Sequence, residues 1–131
     1  MQTVKALLDT SAYSGLMQGD SEILTLLRNA AQVFVPTMVL GELHSGFRRG
    51  SRQAQNEIQL LAFLAKPSIT VVDVTAETAL RYAEVDYYLF AKGRPIPRND
   101  VWIAALAFEH GCVLVTRGAH FRELPLLPIR P

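Results

Sequence analysis

The stretch VKALLD, residues 4–9, decides the fold: it is a short apolar run, continuous rather than alternating, that stops on the carboxylate of Asp9. A continuous run suits a strand buried on both faces, the condition of a parallel sheet covered by helices on either side. Outward from it, VFVP at 33–36 repeats the pattern and is closed by Pro36. Between the two runs, SAYSGLMQGD reads as a turn, and Ser21 can cap a helix through EILTLLRNAA. The rhythm is β-α-β.

Further along, Thr37 is a candidate N-cap for the helix MVLGELHSGFRRG, whose end Gly50 marks, and a second helix runs from about Gln53 to Ala65 before Lys66-Pro67. SITVVDV is a β-branched strand, and Thr75 starts the helix AETALRYAEVDYYLFAKG, which Gly93, Pro95 and Pro97 break. The loop delivers Asn99-Asp100 to VWIAALAFEHG, a helix ending at Gly111 before the strand CVLVT, and the tail LPLLPIRP can add an edge strand. Strands alternating with helices predict an α/β protein with a mostly parallel central sheet and right-handed crossovers. With no repeat or linker in its 131 residues, the chain reads as one domain, 1–131.

Composition narrows the function. Thirteen basic and 12 acidic residues leave a formal charge of +1, without the global positive field of many phosphate-backbone binders, so any nucleic-acid contact must be local. One cysteine makes no intrachain disulfide, and MQTVKALLDTSA lacks the charged and apolar regions of a signal peptide, which reads as cytoplasmic. No apolar run approaches the roughly 20 residues of a spanning helix, so no membrane partner is expected. Cys112, at an apolar strand start, reads as a packing residue.

In open α/β sheets, ligands sit beyond the carboxyl ends of the strands. Asp9 lies at such an end, Thr116 lies at the end of CVLVT, Asp100 starts the helix before that strand, and Glu42 lies in the first turns of the helix after strand two. The three acids are expected to converge on one sheet edge. Clustered carboxylates repel unless one is protonated or a cation neutralises them, and hard divalent ions favour such oxygen ligands. Each acid also has an ordinary use: Asp9 as a turn cap, Glu42 as a solvated helix residue, Asp100 as a helix-start acid. A phosphoacceptor receiver domain fits less well, because Leu8 precedes Asp9 and Arg117 follows Thr116 where an acidic pair and a lysine are wanted. A D-x-D phosphatase is disfavoured by Ser11.

The motifs LLDTSA, VLGELHSG, GRPIPRNDVWIAALAFEHG and LVTRGAHF occur in that order and cover nearly the whole chain. Together they resemble a PIN domain, and more narrowly the VapC toxins of bacterial toxin–antitoxin pairs. The resemblance implies a three-layer α/β/α sandwich and a Mg²⁺- or Mn²⁺-dependent ribonuclease that cuts cellular RNA such as tRNA or rRNA. It also implies inhibition by a cognate antitoxin, and homodimerisation. By motif matching, Asp9, Glu42 and Asp100 become the acidic ligands and catalytic residues, while Ser11 and Thr116 match hydroxyls that orient ligands or water.

One departure stands out. The family usually carries another acid or amide after the final strand, in a pattern like T-R-D-x-x-F, where this chain reads Thr116-Arg117-Gly118-Ala119-His120-Phe121. Glycine offers no side-chain ligand, which leaves open a one-metal enzyme, a non-cleaving binding module of the same fold, or an aspartate-to-glycine change that lets cells tolerate a toxic nuclease. His120 could stand in as a ligand or base, or be a surface histidine. Lys92, Arg94 and Arg98 lead into Asp100 and are candidate RNA contacts; Arg48, Arg49 and Arg52 form a second basic cluster, read as a solvated charge run. Tyr82, Tyr87, Tyr88, Phe90 and Trp102 read as core or dimer contacts.

Overall fold

The computed structural model describes residues 4–131, so the first three residues of the N-terminal reading, Met1 to Thr3, lie outside the described residues. Strands β1 (Lys5–Leu8), β2 (Gln32–Pro36), β3 (Ile69–Val72), β4 (Val113–Val115) and β5 (Ile129–Arg130) form one sheet in the order β3-β2-β1-β4-β5. Every pairing among them is parallel. The apolar run that led the sequence reading is the central strand, and Ala6, Leu7 and Leu8 are wholly buried. Burial of each leucine contributes roughly 1.5–3 kcal/mol, which explains why this run admits no alternation. β3 is β-branched, yet as an edge strand it leaves Thr70 and Val71 exposed.

The strand order sets the layers. The connections β1→β2, through α1 (Thr10–Met17) and α2 (Ser21–Asn29), and β2→β3, through α3 (Thr37–Arg49) and α4 (Gln53–Leu64), step the same way across the sheet. The connection β3→β4, through α5 (Ala76–Ala91) and α6 (Arg98–His110), returns the other way past β1. Right-handed crossovers then put α1 to α4 on one face and α5 and α6 on the other, giving three layers. The direction reverses between β1 and β4, and a crevice opens at such a switch point.

Local chemistry explains the helix ends, and in several places differs from the sequence reading. The expected turn at SAYSGLMQGD is mostly helix α1, because the Asp9 carboxylate accepts from the Ala12 N–H and caps it. Gly15 does not break that helix; it lets α2 approach, since a Cβ there would meet Ile23 Cδ1 at 3.3 Å. Asp20, not Ser21, caps α2 by accepting from the Glu22 and Ile23 N–H groups. Thr37 is the first residue of α3 rather than its cap, and its hydroxyl donates to Asp73 at 3.0 Å. Thr75 caps α5 in a capping box with Thr78, and Gly111 ends α6 in the left-handed region at φ 64°.

Tyr82 and Trp102 pack α5 on α6 with ring centroids 4.1 Å apart. Tyr87 and Phe90, read as core or dimer contacts, are strongly exposed. Cys112 is buried, and burial pushes its thiol up to about 11 against the pull of Lys5. Among the described residues, no helix is long and apolar enough to cross a membrane.

Tyr13 is buried edge-on to Phe63, and among the described residues its hydroxyl has no hydrogen-bond partner; burial also pushes its phenol up. An unsatisfied buried hydroxyl carries its full desolvation penalty. Tyr13→Phe keeps the ring contact and is expected to stabilise the protein by about 1 kcal/mol, read as a higher urea midpoint. An unchanged or lower midpoint would show that the hydroxyl is satisfied in solution.

Candidate active site

Asp9 follows β1, Thr116 follows the neighbouring β4, and the Asp9 N–H donates to the Val115 carbonyl at 3.3 Å. The ladder between these strands therefore ends by placing the two side chains together. Thr116 Oγ1 donates to Asp9 Oδ2, and Ser11 Oγ donates to Asp9 Oδ1 at 2.7 Å. The same hydroxyls accept from the next turn: Arg117 N–H donates to Ser11 Oγ at 2.9 Å and Gly118 N–H to Thr116 Oγ1 at 2.8 Å. Asp9, Ser11, Thr116 and the 117–118 backbone thus form one network at the switch point. The capping use of Asp9 and its place in the acidic cluster are both real, because one carboxylate has enough lone pairs for both.

Glu42 reaches this region from the second turn of α3, where Thr10 Oγ1 donates to its Oε1 at 2.6 Å. Asp100 lies in the first turn of α6 and is half-buried. Burial pushes its carboxyl up, the negative charges of Asp9 and Glu42 push the same way, and a hydrogen bond and charge from His120 pull it down. Asp9 and Glu42 are thus near enough for their charges to act on Asp100. Among the described residues no group of three Asp, Glu, His or Cys side chains stands close enough, as placed, to hold a metal ion. The donor set of the three acids is nonetheless all oxygen, the chemistry a Mg²⁺-like ion prefers.

Gly118 stands beside this cluster. A Cβ built on it would lie 3.9 Å from Asp9 Oδ2 and 3.3 Å from Thr116 Oγ1, and its φ is not in the left-handed region. An aspartate would therefore present its carboxylate to Asp9 once Thr116 yields by a few tenths of an ångström. His120 Nδ1 lies 2.7 Å from Asp100 Oδ2.

Of the candidate RNA contacts, two turn elsewhere. Lys92 Nζ donates to the Glu123 carbonyl, and Arg94 Nε and Nη2 donate to Glu123 Oε2 at 3.2 and 2.9 Å. Arg94 beside it holds the Glu123 carboxyl below the usual carboxylate range. Arg98 donates to the Tyr82 hydroxyl at 3.0 Å. Arg117, which the sequence reading set aside, bridges to Asp20 through Nε and Nη2, both at 2.9 Å, and so ties the end of β4 to the cap of α2. No sequence signal pointed to the clamp on Glu123, since that acid lies about 30 residues from Lys92 and Arg94 in the chain. A groove of about 420 Å³, lined by Val85, Tyr88, Phe108, Leu124 and Leu126 together with the charged Arg81 and Glu84, contains none of the three acids.

The PIN domain family profile matches residues 6–127. The chain is 30% identical over 105 residues to Ribonuclease VapC2 of Rickettsia felis, covering 79% of this chain and 77% of that protein. Among solved structures, it resembles VapBC2 from Rickettsia felis bound to a promoter DNA fragment, with a TM-score of 0.84, 25% identity and coverage of 97% and 98%. It also has the fold of DNA-bound VapBC from Salmonella typhimurium, with a TM-score of 0.85, 23% identity and 98% of each chain covered. The chain belongs to the PIN-domain family, within its VapC branch.

The raised Asp100 carboxyl has a measurable consequence. Its favourable contribution to folding is fully present below its unfolded value and is lost as pH rises through its higher folded value. Near neutral pH the ionised group therefore opposes folding of the metal-free protein. In EDTA, Asp100→Asn is expected to melt higher than the wild type at pH 7, with the gap narrowing as pH falls toward 4. A gap that is absent, or that widens in acid, would refute the raised carboxyl.

Proposed function

We propose that this protein is a metal-dependent endoribonuclease of the VapC type, the toxin of a toxin–antitoxin pair, acting on phosphodiester bonds of RNA. The observation that carries the reading is the hydrogen-bonded cluster at the carboxyl ends of β1 and β4, where Ser11 and Thr116 hold Asp9 and the adjacent Thr10 holds Glu42. VapC membership and the ribonuclease name of the Rickettsia felis relative support the same chemistry.

Asp9, Glu42 and Asp100 would hold the ion. Bound there, Mg²⁺ or Mn²⁺ supplies charge neutralisation for the phosphate and acidifies water near neutral pH. The chain's own residues do the rest. Ser11 and Thr116 fix both oxygens of Asp9, Thr10 fixes one oxygen of Glu42, and the acids repel substrate phosphate unless a cation is present. Arg98, whose one hydrogen bond among the described residues is to a phenol oxygen, is better disposed toward RNA than Lys92 or Arg94, which serve Glu123.

Solved relatives are VapBC complexes, which supports an antitoxin as partner. Exposed apolar side chains, Ile58 and Leu61 on α4 and Tyr87 and Phe90 on α5, suit contact with such a partner or with a second copy. Gly118 favours one other reading, a binding module that keeps partner or RNA contacts without turnover, because the position beside Asp9 carries no ligand.

Cleavage of total cellular RNA separates the two. The enzyme is expected to cut only with added Mg²⁺ or Mn²⁺, and Asp9→Asn or Glu42→Gln to lower kcat/KM by about 100-fold or more, as loss of roughly 3 kcal/mol of charge stabilisation requires. No metal-stimulated cleavage, or full activity in Asp9→Asn, would leave the binding module. Gly118→Asp is expected to raise activity and slow host growth more strongly; no gain in either would show that this position does not limit the enzyme.

A further inference from the structure

We propose that His120 is a positioning residue that orients Asp100 toward the ion, an inference that rests on the metal reading above. Each acid of the cluster has its own hydrogen-bond donor: Asp9 has Ser11, Thr116 and the Ala12 N–H, Glu42 has Thr10, and Asp100 has His120. Among the described residues, His120 is the only hydrogen-bond partner of the Asp100 carboxylate. An ionised carboxylate only accepts, so Nδ1 carries the hydrogen and holds Oδ2. Oδ1 carries no hydrogen bond among the described residues. The histidine side chain is 58% exposed, so its contact with Asp100 is not forced by core packing.

What fixes it is the segment that carries it. His120 opens the short 3₁₀ turn η1 (His120–Glu123), and the next residue, Phe121, is buried in the core. At the far end Glu123 is clamped by Lys92 and Arg94, reaching across from the end of α5. On the other side, the Gly118 N–H is tied to Thr116 Oγ1. The segment after β4 is thus held at three points, and it brings His120 to Asp100 where position 118 brings no acid to Asp9. In a site with three carboxylates, the direction of each one matters more. Partners that orient a metal-binding group typically change affinity or activity by 10–100-fold when removed.

The test uses the full chain without RNA. Mn²⁺ binding is read by electron paramagnetic resonance for the wild type, His120→Ala, His120→Asn and Asp9→Asn; the asparagine amide can donate from nearly the place of Nδ1. His120→Ala is expected to bind Mn²⁺ about 10-fold more weakly, with His120→Asn recovering most of the loss. In RNA cleavage at limiting metal, His120→Ala should lower kcat while KM for RNA stays, and excess Mn²⁺ should restore the rate. Equal Mn²⁺ affinity in wild type and His120→Ala overturns the proposal, as does an asparagine variant as weak as the alanine variant. Wild type that binds Mn²⁺ through Asp9 but leaves RNA intact defeats the nuclease reading, while the His120 arms still decide the positioning role. Wild-type binding no stronger than that of Asp9→Asn defeats both.

Discussion

The hydrogen bond from Thr116 to Asp9 joins the ends of two parallel strands where the sheet reverses its direction of winding. β1 and β4 are neighbours although more than a hundred residues separate them in sequence. Their ladder is what makes Asp9 and Thr116 adjacent. Other parts of the site follow from that adjacency: Ser11 bridges Asp9 and the Arg117 backbone, and the turn after β4 brings position 118 to within Cβ reach of the Asp9 carboxylate. Asp9 is buried among donors, so its charge is held by hydrogen bonds rather than by water.

Placing three carboxylates together works against folding, and the structure bears this at one edge while the core elsewhere is apolar and continuous. At Asp100, burial pushes the carboxyl up, the charges of Asp9 and Glu42 add to it, and His120 pulls the other way. On the metal reading proposed above, the same mutual repulsion is what would make the three carboxylates receptive to a divalent ion and, through it, to phosphate.

The positive charges show how local the electrostatics are. With a formal charge of +1 there is no surplus to spend on a broad field. Lys92 and Arg94 pin Glu123, and Arg117 pins Asp20; each pair stitches a loop near the acids to a neighbouring helix end. These exposed ion pairs contribute little to stability individually. Their effect is geometric, because they fix the segments that carry Gly118 and His120.

The sequence by itself determined the strands and most helices, and it marked the three acids as site candidates. Continuous apolar runs such as 4–8 have one stable environment, and an acid at the end of such a run has nowhere to go but the sheet edge. Motif order identified the family, and Gly118 was legible as a departure because the residues around it, Thr116 and Phe121, keep the pattern. Helix α1 was not legible, because SAYSGLMQGD is rich in turn formers and its cap is the same Asp9 already assigned to the site. The pairing of Lys92 and Arg94 with Glu123, and of His120 with Asp100, was decided only in three dimensions. Sequence gives the charge of a side chain, but the nearest opposite charge depends on which distant segment the crossovers bring alongside, and that is a property of the folded chain.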